Sequence, residues 1–301
     1  MLRRCALFSL LSLPLTGAAL AQLPPSAAWA ALIGNQYRLS PNVTYHTADG
    51  VELEMDVYSR RDTDTPQPTL VYLHGGFWVA GAREGAIFAL IPWLERGWNV
   101  VNVEYRLGPA HLAPAAVEDA FCALRFAAAE AQRFNVDPER IVVTGESAGG
   151  HLALVLGMIP DGAGLADSCP GETTPRVAAV VNWFGVTDVP DVIQGPNRQE
   201  AAARWFGDMP QATALEIARR VSPLGYVRAD LPPILTIHGD ADNVVPYDEG
   251  VRLHAALDEA GVPNQLLTIP GAGHGRFPDD QRVRAFATIW EFLEEHGAGG
   301  R

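Results

Sequence analysis

With 301 residues, 48% of them hydrophobic and 19% charged, the chain is long enough to bury one sizeable core and too apolar to be disordered. A formal net charge of −13 argues against nucleic acid or an anionic membrane surface as a partner. Every basic residue is arginine, and the missing lysine excludes Ser-Lys dyads, S-x-x-K acylases, Schiff-base catalysis and a phosphate-binding P-loop.

The first residues read as an export signal: Arg3 and Arg4, an apolar run over 6–20, and the small-x-small site Ala19-Leu20-Ala21 before Gln22. Pro14 and Gly17 interrupt the run too soon for a membrane span. The expectation is a signal peptide over 1–21 cleaved after Ala21, and a periplasmic or secreted protein with no membrane anchor. Cleavage leaves Cys122 and Cys169, an even pair in an oxidising compartment, and the spacing leaves open whether they bridge.

Residues 22–42 are rich in Ala and Pro and read as an arm before the main domain, 43–301. Alternating apolar and polar residues over 43–48 and 51–58, around Asp49-Gly50, predict a β-hairpin. Continuous apolar runs at 69–74, 98–104, 140–144, 177–183, 233–238 and 265–269 read as strands buried on both faces, and helical spacing separates most of them. That alternation predicts an α/β fold, a mostly parallel central sheet flanked by helices. Residues 186–231 are longer than one crossover needs and read as a helical excursion, a lid or cap over the carboxyl ends of the strands, where open α/β sheets bind ligands.

The chain is organised around Gly145-Glu146-Ser147-Ala148-Gly149-Gly150, a strand that stops at a sharp turn and becomes a helix. G-x-S-x-G spacing has a steric cause: the serine occupies a strained backbone conformation that lifts its Oγ clear of the sheet, and side chains at the flanking positions would collide with neighbouring elements. A helix starting at Ala148 points free N–H groups at an oxygen gaining charge. Lacking lysine, Ser147 needs a histidine or carboxylate as its base.

Further along, Asp240 and Asp242 follow one predicted strand, and His274, flanked by Gly273 and Gly275, follows the next. Nucleophile, acid and base thus stand at the carboxyl ends of three strands, in the order Ser, acid, His. On His74-Gly75-Gly76-Phe77-Trp78, Gly145 to Gly150, His238-Gly239-Asp240-Ala241-Asp242 with Val245-Pro246, and Gly273-His274-Gly275, the chain resembles the α/β-hydrolases over roughly 43–296. More closely, it is similar to hormone-sensitive-lipase-like and feruloyl/acetyl-esterase-like enzymes. The resemblance implies a serine carboxylesterase that acts on small or medium esters through an acyl-enzyme, with no cofactor. Ser147 would be the nucleophile, His274 the base and Asp242, three residues before Val-Pro, the acid, while Asp240 is expected to hold the turn. It also implies an oxyanion site at the N–H groups of Gly75, Gly76 and Ala148.

Phe77, Trp78, Trp183 and Phe184 are candidate pocket walls, with core packing the competing reading. His151, one helical turn after Ser147, reads as structural; His74 and His238 end strands and are expected to bind loop backbone; His254 reads as solvated. His238-x-Asp240-x-Asp242 lacks the glycine and distal glutamate of a calcium loop, so no metal is expected. Two alternatives stay open: a serine peptidase of the prolyl-oligopeptidase type, which shares sheet and triad, and a non-catalytic binding protein on the same fold. Substrate identity and oligomeric state are not legible.

Overall fold

The computed structural model describes residues 25–171 and 173–299, so the expected signal peptide lies outside the described residues. The stretch expected as a separate arm is divided. Helix α1 (Pro25–Gln36) leads into strand β1 (Tyr37–Ala48), six residues earlier than the apolar alternation indicates. Tyr37 explains the early start: it is buried, and its hydroxyl donates to the carbonyls of Leu94 (3.0 Å) and Trp98 (2.8 Å). Arg61 donates to the carbonyls of Gly34 and Asn35, a cation at the helix C-terminus where the dipole favours one.

Strand β2 (Val51–Arg60) pairs antiparallel with β1 around Asp49 (φ 52°) and Gly50 (φ 76°), the left-handed pair that a tight hairpin turn requires. There follow β3 (Gln67–Leu73), α2 (Ile87–Glu95), β4 (Asn99–Val103), α3 (Ala115–Ala129), the single turn α4 (Ala131–Phe134), β5 (Val136–Glu146), α5 (Ala148–Met158) and β6 (Ala179–Trp183). Three short helices, α6 (Val189–Gln194), α7 (Glu200–Arg204) and α8 (Gln211–Arg220), make up the excursion. The chain closes with β7 (Ile234–Gly239), α9 (Tyr247–Ala260), β8 (Asn264–Ile269) and α10 (Asp279–Glu295).

The eight strands form one sheet in the order β1-β2-β4-β3-β5-β6-β7-β8. β1 and β2 are antiparallel and every pair from β4 to β8 is parallel, the α/β-hydrolase arrangement. Side chains alternate between two cores because successive strand residues face opposite sides: Val71, Val143 and Val180 pack beneath α3 and α5, Leu70, Val142 and Val181 against α2 and α10. β5 is central, so the turn at its carboxyl end is held by strands on both sides.

The excursion is rooted by Glu249 of α9, wholly buried, whose Oε2 accepts the N–H groups of Thr187 and Asp188, both at 2.8 Å. At its other side Trp205 stacks on Trp78 with ring centroids 4.4 Å apart, and its carbonyl accepts the N–H of Ala113. Cys122 of α3 is bonded to Cys169, with Cα atoms 4.8 Å apart, which answers the pairing that spacing left open. Arg125 fastens the same loop by donating to the carbonyls of Ala166 and Gly171 and to Asp161.

Candidate active site

Ser147 sits at φ 56°, ψ −116°, a conformation that costs a non-glycine residue about 1–3 kcal/mol. The surroundings hold it there. Its N–H donates to the carbonyl of Trp183 at the end of β6 (2.9 Å), and the start of α5 presses against β3 so closely that a Cβ on Gly149 would lie 2.0 Å from the carbonyl oxygen of Leu73. A Cβ on Gly145 would meet that same oxygen at 2.4 Å. These glycines are therefore a packing requirement of the elbow. Among the described residues, no protein group is hydrogen-bonded to Ser147 Oγ, and the residue keeps 7% of its surface open.

The loop after β3 lies against the elbow. A Cβ on Gly75 would stand 2.8 Å from the carbonyl oxygen of Glu146 and 3.6 Å from Ser147 Cβ, so the Gly75 backbone approaches the serine as only a glycine can. Gly76 adopts φ +127° and carries its carbonyl into a turn that accepts the N–H groups of Val79 and Ala80. Among the described residues, the N–H groups of Gly75 and Gly76 are taken by no backbone carbonyl. His74 donates from Nδ1 to the carbonyl of Gly75 (2.8 Å) and its ring stacks on Tyr105 at 4.2 Å, which fixes the loop from behind.

Asp242 and His274 meet directly: His274 Nδ1 lies 2.7 Å from Asp242 Oδ2. The other oxygen, Oδ1, accepts the N–H groups of Val244 (2.8 Å) and Val245 (3.0 Å). Burial alone would raise the pKa of this carboxyl; contacts with His238 and His274 and the Val244 N–H outweigh it and hold the group well below the usual carboxylate range. Asp240, the neighbouring candidate, accepts the N–H of Gly271 and so holds the turn beside the histidine loop. Phe184, one residue after the carbonyl that anchors Ser147, packs edge-on against the His274 ring at 4.8 Å. The end of β6 therefore touches both residues, holding the Ser147 N–H through Trp183 and the His274 ring through Phe184.

The candidate pocket walls separate. Phe184 is buried and packs on His274, while Phe77 is half-buried. Trp78 is wholly buried, stacked on Trp205 and donating its indole N–H to His151 Nδ1 (3.1 Å), so it is a core residue joining loop, elbow helix and excursion, not a wall of an open pocket. Trp183 lines a cavity of about 380 Å³ between α2 and α10 with Tyr72, Glu146, Arg282 and Phe286. Burial raises the pKa of Glu146, which faces this cavity, against the opposing charges of Arg282 and His274.

His254 is buried, contrary to the expectation of a solvated ring, and its Nδ1 lies 2.6 Å from Asn264 Oδ1. Gly250, Leu253, His254 and Leu257 form the inward stripe of α9, a spacing that the sequence already contains. The contact of His238 with the Asp242 carboxylate (Nε2 to Oδ2, 3.4 Å) had no sequence signal beyond their shared motif. Among the described residues, no cluster of three or more His, Cys, Asp or Glu side chains is placed to hold a metal ion, and no helix is long and apolar enough to cross a membrane.

Residues 55–257, about two thirds of the chain, match the family model BD-FAE. The chain belongs to the BD-FAE family. This BD-FAE chain is 32% identical over 234 residues to esterase LipC of Mycobacterium tuberculosis, an alignment covering 73% of the chain and 56% of LipC. It is 31% identical over 243 residues to the ethyl acetate hydrolase of Pseudomonas putida, covering 76% of the chain and 72% of that enzyme. Among solved structures, a truncated carbohydrate esterase from gut microbiota superposes with a TM-score of 0.71 at 28% identity, covering 87% of this chain and 97% of that one. By name these relatives are an esterase, an ethyl acetate hydrolase and a carbohydrate esterase, while the chain spans about half the length of LipC.

Proposed function

We propose that this BD-FAE chain hydrolyses carboxylic esters through an acyl-enzyme on Ser147. The observation that carries the reading is the 2.7 Å contact of His274 Nδ1 with Asp242 Oδ2, with the His274 ring packed on Phe184, the residue after the carbonyl that holds Ser147. A proton on Nδ1, held by the carboxylate, leaves the Nε2 lone pair as the base. Serine Oγ forms a bond to the ester carbonyl carbon as its proton passes to Nε2, and the carbonyl oxygen takes the negative charge. Collapse of that adduct breaks the bond to the alcohol oxygen, which leaves with the proton from Nε2. Water, deprotonated by the same nitrogen, then releases the acid and restores Ser147. Hydroxyl-to-imidazole hydrogen bonds of this kind are often long before substrate arrives and tighten in the complex.

The oxyanion falls to the N–H groups of Gly75, Gly76 and Ala148. Support comes from the close approach of Gly75 to Ser147 and from the first-turn position of Ala148 in α5, and each such donor is worth about 3 kcal/mol to the transition state. Ser147→Ala should remove hydrolysis of a short p-nitrophenyl ester while the folded state persists by circular dichroism; retention of more than a few per cent of turnover contradicts the reading.

We also propose that the chain is exported. The disulfide between Cys122 and Cys169 supports an oxidising compartment. Fractionation of expressing cells, with N-terminal sequencing of the product, should find the protein outside the cytoplasm and beginning at Gln22; a cytoplasmic product that keeps its first residues contradicts it.

A further inference from the structure

His238 ends β7 four residues before Asp242, and its side chain is wholly buried. Nε2 lies 3.0 Å from the carbonyl oxygen of Val245 and 3.4 Å from Asp242 Oδ2. Both are acceptors, so Nε2 carries the proton; the Val245 carbonyl takes the hydrogen bond, and Asp242 Oδ2 stands beside the same N–H at ion-pair distance. Nδ1 is then the lone-pair nitrogen. It is buried with no partner and faces Gly250 of α9, where a Cβ would come within 3.3 Å. Burying an imidazole with one nitrogen unpaired is an unfavourable way to fill space, and leucine would fill the same volume without that penalty. The useful part of the ring is its one N–H.

That N–H closes a frame around the acid. Val245 donates its own N–H to Asp242 Oδ1 and offers its carbonyl to His238, so the ring fastens the turn carrying the carboxylate to the end of β7. The same N–H lies 3.4 Å from Oδ2, the oxygen that His274 meets at 2.7 Å. Two backbone donors hold Oδ1; His238 and His274 are the only side chains, among the described residues, that meet Oδ2.

We propose that His238 is a positioning residue for the acid of the triad. Its Nε2–H, bonded to the Val245 carbonyl, fastens the turn whose N–H groups hold Asp242 Oδ1 and places a positive dipole beside Oδ2, so that Oδ2 stays aimed at His274 Nδ1. The inference rests on the triad reading of Ser147, His274 and Asp242, and His238 itself touches no reacting atom.

The test compares His238→Leu, His238→Asn and His238→Gln with wild type and with Ser147→Ala. Glutamine places its amide nitrogen at the reach of Nε2; asparagine falls short, and leucine has no donor. With p-nitrophenyl acetate, H238L and H238N should lose about tenfold or more in kcat with KM changed less than about twofold, while H238Q returns to within about threefold of wild type. The far-downfield proton resonance of His274 Nδ1–H should weaken in H238L and H238N and return in H238Q. If H238L does not fold, the contrast between H238N and H238Q decides the matter. Wild-type kcat in H238N, or equal losses in H238N and H238Q, overturns the inference while leaving the triad intact. Turnover that survives in S147A overturns the triad itself.

Discussion

The indole N–H of Trp78 donates to His151 Nδ1 across 3.1 Å, tying the loop that carries Gly75 and Gly76 to the helix that begins at Ser147. His151 Nε2 in turn donates to the carbonyl of Val221, at the end of the excursion. Both ring nitrogens are committed and the ring is wholly buried, so charging it would break the Trp78 bond. Burial pushes its pKa down from 6.5 to about 4, against the Val221 hydrogen bond.

A pH dependence of stability follows. Above pH 6.5 the ring is neutral in both states; as the pH falls from 6.5 toward 4, the unfolded chain takes up a proton that the folded one refuses. Stability from this group is therefore lost as the pH falls, by about 2 kcal/mol at pH 5. Urea unfolding of wild type and His151→Gln should show wild type more stable at pH 7 and the gap narrowing by that amount at pH 5. A gap independent of pH contradicts the assignment.

Glycines at the elbow and in the loop before α2 should behave oppositely. Gly149→Ala puts a methyl 2.0 Å from the Leu73 carbonyl oxygen, a collision between backbones that cannot yield, so we expect no soluble folded protein. A Cβ on Gly85 meets nothing within 4 Å, and Gly85→Ala should express and unfold like wild type, within about 0.5 kcal/mol.

Much of this was written in the sequence where chemistry and backbone geometry coincide. Gly145 and Gly149 announce a close approach, apolar runs announce buried strands, and the resemblance to α/β-hydrolases points to Asp242 rather than Asp240 through its place before Val245-Pro246. What was hidden depends on which way a side chain points across the fold. Trp78 read equally as wall or core until Trp205, more than a hundred residues later, was seen stacked upon it. Tyr37 extended β1 through a hydroxyl that reaches Leu94 and Trp98, a contact no local pattern encodes. His254 was the avoidable miss, since its spacing from Gly250 and Leu257 marks the inward face of α9.

The disulfide closes a loop between positions separated by 47 in sequence, and in the loop-entropy account such a bridge stabilises by about 4 kcal/mol. Replacing both Cys122 and Cys169 by serine should lower the guanidinium midpoint by a corresponding amount. Arg125 still holds Ala166, Gly171 and Asp161, so the double variant should fold and keep esterase activity at 25 °C. An unchanged midpoint contradicts the structural role.

Glu249 is buried, and burial raises its pKa despite hydrogen bonds from Thr187 and Asp188. Glu249→Ala strands two buried N–H groups and frees the root of the excursion, at a cost of about 3–5 kcal/mol. Limited proteolysis should then cut first within 186–231; cleavage elsewhere, or a melting temperature equal to wild type, contradicts that anchoring.

We propose that Ser147 is made nucleophilic by its setting. Intact-mass measurement after brief exposure to a fluorophosphonate, followed by peptide mapping, tests it most directly. One adduct per chain, carried by Ser147, is the expected result, with a sharply slower reaction in His274→Ala. An unlabelled Ser147, an adduct on another serine, or equal labelling of the His274 variant would contradict it.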